Sequence, residues 1–213
     1  MARELLKRGA TMTAMTKLTA DDLSRIDQCV YMYVDWAGYE ALDRARGDHP
    51  APRITYLDGV AELMSPSKFH ERINYRIGHL IEAYCTGRGI VVEGYRSWTL
   101  KDESLKAGAE PDCCYVFSTK LPEERPDLSV EVVWTSGGLD KLEVWRRMRV
   151  PEVWFWIDDV ITIHELGPNG YEQVDRSPRL PELELSKMYE LLGLDSTQEA
   201  AAHMRAYAAN QVR

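Results

Sequence analysis

Long apolar runs are missing from this chain of 213 residues, and their absence excludes several classes of protein. None of the hydrophobic stretches approaches the ~20 residues that a membrane-spanning helix needs, so no membrane segment is expected. The first residues, "MARELLKRGATMTAMTKLTADD", are basic but lack the apolar core of a secretory signal. We therefore expect a cytoplasmic protein in which residues 1–25 form a flexible arm and residues 26–213 form a single domain.

Cysteine is also scarce, and basic residues are outnumbered by acidic ones. The four cysteines form no C-x-x-C pair, and Cys113 and Cys114 adjoin in an apolar run. This pattern favours free buried thiols over a zinc site or a disulfide framework. The net charge of −8 argues against a protein that coats nucleic acid nonspecifically, because such binding depends on neutralising phosphates. It remains compatible with an enzyme that has a local basic track, and it suits a cluster of metal-binding carboxylates.

Apolar periodicity predicts an α/β domain. Helical spacing predicts four helical regions, at residues 34–46, 70–85, 139–149 and from about 185 onward. Two turn signals predict β-hairpins, at Asp58-Gly59 and at Asp158-Asp159. Further strands are predicted at residues 90–100, 109–117, 127–134 and 171–175, and Gly87 and Gly89 are expected to end the second helix. The alternation of these elements predicts a mixed β-sheet with helices on its faces.

Three acidic residues lie in apolar surroundings. Asp112 opens "DCCYVF", Glu131 interrupts "LSVEVVW", and Glu62 lies in "VAELM", the second arm of the first predicted hairpin. Each could simply face solvent from the polar side of a strand. However, the run around Glu131 holds no other charge, which is the pattern of a central strand buried on both faces. A buried carboxylate needs a partner, and a second acid on a neighbouring strand would favour a shared hard cation such as Mg²⁺.

Lys141 begins the third predicted helix, ten residues after Glu131 and behind the link "TSGGLD". One interpretation is a surface lysine on the first turn of an amphipathic helix. The alternative is that the two glycines let the chain double back. The start of the helix would then lie beside the strand end that carries Glu131.

These segments together resemble a known family. "AEPDCCYVF", "DLSVEVVWTSGGLDKLEVW" and "YLDGVAELMSPSKFHERIN" are similar to the Uma-type restriction endonucleases, a bacterial group in the PD-(D/E)XK nuclease superfamily. The similarity covers residues 34–189. It implies a restriction-endonuclease-like fold, in which a four-stranded mixed β core is flanked by helices and preceded by an N-terminal β-hairpin.

The resemblance also implies a metal-dependent phosphodiesterase site. Asp112 and Glu131 would bind Mg²⁺, for which Mn²⁺ could substitute, with the backbone carbonyl of Val132 as a third ligand. Lys141 would orient the attacking water or stabilise the transition state. Glu62 would supply a second-metal or water-mediated ligand.

The resemblance also implies a role for His70, and this chain departs from the family pattern at two positions. His70 would touch phosphate or a metal-bound water, and its plain alternative is a histidine on the helix surface. The superfamily lysine normally follows the acid by two residues, where this chain has Val133. Many relatives carry an aspartate four residues before the helix lysine, where this chain has Gly137.

The expected function is therefore that of a Mg²⁺-dependent endonuclease that hydrolyses DNA, with a homodimer as its expected assembly. Two alternatives stay open at this stage. One is a catalytically inactive relative that binds nucleic acid or a protein partner, which the two departures and the acidic net charge favour. The other is a hydrolase of a different phosphodiester, such as RNA.

Overall fold

The structure is a computed structural model that describes residues 26–96, 98–120, 124–133 and 139–211. The arm expected at residues 1–25 and the glycines of the link before Lys141 lie outside these ranges. The described part of the chain forms five helices, α1 (Trp36–Arg46), α2 (Lys68–Arg88), α3 (Lys141–Arg147), α4 (Leu185–Leu192) and α5 (Thr197–Asn210). None of its helices is long and apolar enough to cross a membrane.

The first sheet has the order β1-β3-β2-β6-β5. Its strands are β1 (Gln28–Tyr33), β2 (Arg53–Leu57), β3 (Val60–Ser65), β5 (Leu100–Asp102) and β6 (Ala107–Ala109). Asp58 and Gly59 have φ values of +46° and +91° and join β2 to β3, which confirms the first predicted hairpin. Helix α1 packs on this sheet, with the ring of Tyr39 stacked on that of Tyr56 at 4.9 Å.

The second sheet has the order β11-β10-β9-β8-β7-β4 and contains one parallel pair, β8 with β9. Its strands are β4 (Glu93–Tyr95), β7 (Cys113–Val116), β8 (Leu128–Val133), β9 (Glu152–Ile157), β10 (Val160–Gly167) and β11 (Gly170–Val174). The β9–β10 turn at Asp158-Asp159 confirms the second predicted hairpin. A mixed sheet flanked by helices confirms the predicted fold class, although this sheet has six strands where the resemblance implied four.

Strand β8 is a central strand of the second sheet, and side chains pack against both of its faces. Leu128, Val130 and Val132 point into a core built with α2, α4 and α5. Alternation along the strand turns Ser129, Glu131 and Val133 to the opposite face. There Val133 packs against residues of α3 and the first sheet. The acid of β8 therefore points into the space between the two sheets.

Two predicted strands are wrong in extent. Within each of them the chain passes from one sheet to the other. Residues 90–100 divide into β4 of the second sheet and β5 of the first, and residues 109–117 divide at Pro111. Proline has no N–H to continue a ladder, so the strand cannot run through it. The crossing places Asp112 at the entrance of β7, beside the first sheet.

The predicted stop of α2 is right at one glycine and wrong at the other. Gly89 ends the helix with φ +69° and the left-handed conformation that glycine adopts easily. Gly87 lies inside α2, where a Cβ atom would meet the carbonyl oxygen of Arg205 in α5. Its role is close packing between the two helices.

The thiol prediction is confirmed for three cysteines. Cys85, Cys113 and Cys114 are buried and form no disulfide. Burial raises the pKa of each thiol to about 12.

Candidate active site

Asp112 and Glu131 lie on neighbouring strands and are both buried. The antiparallel register pairs Cys113 with Val130, so one further step along the ladder brings Asp112 opposite Glu131. The backbone N–H of Val132 donates to Asp112 Oδ2 at 2.6 Å and fixes the carboxylate against β8. Asp112 is 1% exposed and Glu131 is 0% exposed. The solvent-facing alternative is therefore wrong for both residues.

Lys141 contacts Glu131. Its Nζ lies 2.5 Å from Glu131 Oε2, and its side chain is 16% exposed, so it is not a surface lysine. Burial alone would lower the pKa of Lys141, but the carboxylates of Glu131 and Glu62 outweigh burial and raise it above its usual value. The ammonium group is therefore charged at neutral pH.

Helix α3 holds this lysine in place through its other residues. Val144 and Trp145 are buried between the helix and the first sheet. The side chain of Asp140 caps the helix by accepting from the backbone N–H of Glu143 at 3.0 Å. Arg147 donates to Asp58 at 2.6 and 2.7 Å and so ties the end of α3 to the β2–β3 turn. The start of α3 thus lies at the end of β8.

One oxygen of Glu131 is left over. Oε1 is buried and has no hydrogen-bond partner among the residues that the structure describes. An unsatisfied buried carboxylate oxygen costs a few kcal/mol, and more than a neutral group would, so its retention calls for a function. A bound cation would satisfy it.

Glu62 brings a third acid to the same space. It lies in β3 opposite Tyr31 of β1 and Thr55 of β2, and it is 5% exposed. Its Oε2 accepts from the backbone N–H of Leu139 at 3.3 Å, just before α3. Burial, followed by the hydrogen bond to Glu62, raises the pKa of Tyr31. The first sheet therefore contributes an acid to the site built on the second.

His70 lies in the first turn of α2 and is fully buried, so the helix-surface alternative is wrong. Its Nε2 lies 2.9 Å from Asp112 Oδ1, and its Nδ1 lies 2.8 Å from Asp27 Oδ2. Asp27 also accepts from the backbone N–H of Ser67 at 2.7 Å. Burial raises the pKa of Asp27, but the bonds to His70 and Ser67 outweigh it and hold the pKa below the usual value.

Arg53 and Asp27 were missed by sequence reasoning. Arg53 opens β2, its Nη1 contacts Asp112 Oδ1 and lies 2.9 Å from His70 Nε2, and its Nη2 lies 2.8 Å from Glu71 Oε1. One signal was available for Arg53, since it is the single charged residue of the strand "RITYL". Asp27 carried no signal, because its partners lie 40 and 43 residues away in the sequence.

The residues present fit a hard divalent cation. The contacts just described include five carboxylates, Asp27, Glu62, Glu71, Asp112 and Glu131, against two permanent cations, Arg53 and Lys141. In this set the five negative charges outnumber the two permanent positive charges. Oxygen donors are those that Mg²⁺ prefers. Together with the unsatisfied Glu131 Oε1, this excess is what a metal ion would compensate.

The number of protein ligands is small. Within the described ranges, no group of three or more His, Cys, Asp or Glu side chains is arranged to hold a metal ion. Asp112 and Glu131 would thus need a backbone ligand and waters. The N–H and C=O of one residue in an extended strand point to the same edge, so the Val132 carbonyl faces the side on which Asp112 lies.

Comparison with known proteins decides the family. Residues 36–197 match the family model Uma2, described as "Putative restriction endonuclease". The chain belongs to the Uma2 family. This confirms the resemblance and indicates a nuclease. The matched range contains all the candidate site residues named above except Asp27, which precedes it.

This Uma2 member was also compared with solved structures and with curated proteins. The chain is similar to the crystal structure of "a putative nuclease belonging to DUF820" from Anabaena variabilis, with 11% identity and a TM-score of 0.47. The similarity covers 65% of this chain and 90% of that one. No curated protein matches the chain.

Proposed function

We propose that this protein is a Mg²⁺-dependent endonuclease that hydrolyses phosphodiester bonds of DNA. The observation that carries the proposal is the buried carboxylate of Glu131, which has one oxygen on Lys141 and the other without a partner among the described residues. Lys141 thus occupies one oxygen of Glu131, and Oε1 is left to accept a bound cation. Membership of the Uma2 family supports the nuclease class.

Asp112, Glu131 and the carbonyl of Val132 would hold the metal, with Glu62 as a second-metal or water-mediated ligand. A bound Mg²⁺ lowers the pKa of a coordinated water and neutralises charge on the phosphate. His70 and Asp27 orient Asp112, because each side chain in this chain of contacts is held at both ends. Such supporting contacts keep a metal ligand in one orientation.

Lys141 acts as a fixed positive charge. Its Nζ contacts Glu131, and the carboxylates of Glu131 and Glu62 hold the pKa of Lys141 above its usual value, which favours the ammonium form. It can donate to the attacking water or to a phosphate oxygen while it remains bound to Glu131. In the superfamily a lysine normally stands where this chain has Val133, whose side chain packs against α3. Lys141, next to Glu131, would supply the positive charge of that lysine.

Cleavage of supercoiled plasmid tests the proposal. The wild-type chain should nick or linearise plasmid in Mg²⁺ or Mn²⁺ and stop in EDTA. Asp112→Asn, Glu131→Gln and Lys141→Met should each lower the rate by about 100-fold or more, the usual effect of removing one group that stabilises charge in the transition state. Single-stranded DNA and RNA, run in parallel, test the choice of substrate.

The alternative outcomes separate the other hypotheses. Cleavage that survives all three substitutions would remove the site assignment. If the wild type cuts RNA and spares DNA, the phosphodiesterase remains and the DNA assignment fails. If it cuts no nucleic acid in either metal, the catalytically inactive relative is the better account. The expected homodimer stays a prediction, which light scattering on the purified chain measures directly.

A further inference from the structure

Both carboxylate oxygens of Asp112 are already occupied by protein groups. Oδ2 accepts from the backbone N–H of Val132, and that bond is part of how β7 and β8 meet. Oδ1 is shared by Arg53 Nη1 and His70 Nε2. The two groups on Oδ1 use both lone pairs of that oxygen, so a cation that binds Asp112 through Oδ1 would have to displace one of them.

His70 is the fixed member of this pair. It is fully buried in the first turn of α2, and its second ring nitrogen is held by Asp27 at 2.8 Å. Moving the ring would break the contact with Asp27, which also accepts from the start of α2 at Ser67. The histidine is therefore expected to stay in place.

Arg53 is the movable member. Its side chain is 13% exposed and ends on Glu71, which is 46% exposed at the rim of the site. Rotation of the long arginine side chain can withdraw Nη1 from Asp112 while Nη2 keeps its bond to Glu71. The positive charge of a metal on Asp112 would also repel the guanidinium.

We propose, on the basis of the function proposed above, that Arg53 exchanges partners during the reaction. The cation displaces Arg53 Nη1 from Asp112 Oδ1, and the released guanidinium binds a phosphate of the substrate. A planar guanidinium with several donors suits a phosphate, and its Glu71 contact keeps it at the entrance of the site. Arg53 therefore competes with the metal before substrate binds and assists the substrate afterwards.

Binding of Mn²⁺ alone tests the first half of the exchange. Calorimetric titration of the full chain with Mn²⁺ should show tighter binding for Arg53→Met than for the wild type. The gain should be about tenfold or more, which corresponds to removing one charge-assisted hydrogen bond that competes with the metal. Arg53→Lys should fall between them, because it keeps the charge and loses the fork. Arg44→Met, an exposed arginine paired only with Glu40 among the described residues, should bind like the wild type.

Plasmid cleavage tests the second half, and the two readouts should move in opposite directions. Arg53→Met should bind Mn²⁺ more tightly and yet cleave at least about tenfold more slowly, because it lacks the phosphate contact. A variant that only disturbs the fold would weaken both metal binding and cleavage. Unfolding curves identify such a variant, and Arg53→Gln then replaces it in the same titration.

The results distinguish this inference from the function on which it rests. Unchanged or weaker Mn²⁺ binding in folded Arg53→Met and Arg53→Gln overturns the competition, even if the wild type is an active nuclease. Tighter binding without any cleavage by the wild type supports the competition and overturns the proposed function. No Mn²⁺ binding by any of the proteins overturns both.

Discussion

Lys141→Met should destabilise the protein strongly, because it removes the cation that pairs with the buried carboxyl group of Glu131. Glu131 is 0% exposed, and Lys141 Nζ is its hydrogen-bond partner among the described residues. Removing one member of a buried ion pair costs about 3–5 kcal/mol, since the desolvated charge of the other remains. For a chain of this size each kcal/mol lowers Tm by about 2–4 °C, so a decrease of about 6–20 °C is expected. Methionine keeps most of the apolar stem, which limits the loss of packing.

The matching double variant separates the charge effect from packing. Glu131→Gln/Lys141→Met leaves no unpaired charge on either residue, so its cost should be clearly smaller than the sum of the two single costs. Urea unfolding of the four proteins, followed by tryptophan fluorescence, measures the coupling. Lys187→Met removes a pair with Glu190, whose side chain is 62% exposed, and a contact over the Tyr207 ring, and it should cost no more than about 1–2 kcal/mol. Additive single costs, or a Lys141→Met variant as stable as Lys187→Met, would refute the reasoning.

Three further predictions follow from the same structure. Mn²⁺ should stabilise the wild type by about 2.7 kcal/mol at 100 times its Kd and should leave the Tm of Glu131→Gln unchanged, as thermal melts with and without metal will show. Gly87→Ala should cost about 1–3 kcal/mol in urea unfolding, because its Cβ would meet the carbonyl oxygen of Arg205 across the α2–α5 contact. The lowered pKa of Asp27 gives a stabilising contribution that is present above its unfolded pKa of 3.8 and lost as pH falls through the folded value, so Asp27→Asn should flatten the acid limb of the stability curve.

Each of these predictions has a contradicting result. An equal metal-induced shift in Glu131→Gln would place the cation elsewhere. Gly87→Ala as stable as the wild type would mean that α5 can move away from α2 without loss. An acid limb that is identical in wild type and Asp27→Asn would show that Asp27 is no better stabilised as an anion in the folded protein than in the unfolded chain.

The sequence predicted those features that depend on local pattern. The Asp58-Gly59 and Asp158-Asp159 hairpins were predictable because such turns need positive φ, which these residue types tolerate. The burial of Glu131 was predictable because the run around it holds no other charge. The points at which the chain crosses between the sheets could not be predicted. Strands β5 and β6 have only three residues each, too few to show a period of two.

The network around Asp112 depends on long-range contacts that no local pattern encodes. Arg53 meets Asp112 from 59 residues away, and Asp27 meets His70 from 43 residues away. An arginine at the start of a strand or an aspartate before one is ordinary in any soluble protein. Only the packing of the first sheet against the end of β8 brings these charges together.

Substitution of Glu131, compared with a matched substitution of Glu152, tests whether Glu131 belongs to a metal-dependent nuclease centre. Glu152 is also a buried glutamate, at the far end of the β8–β9 pair, but its oxygens accept from Trp154 Nε1 at 2.6 Å and from the N–H of Arg179 at 3.0 Å. In Mg²⁺, folded Glu131→Gln should nick supercoiled plasmid about 100-fold more slowly than wild type, or slower still, and folded Glu152→Gln should cut at close to the wild-type rate. A Glu131→Gln protein that cuts as fast as Glu152→Gln would contradict the account.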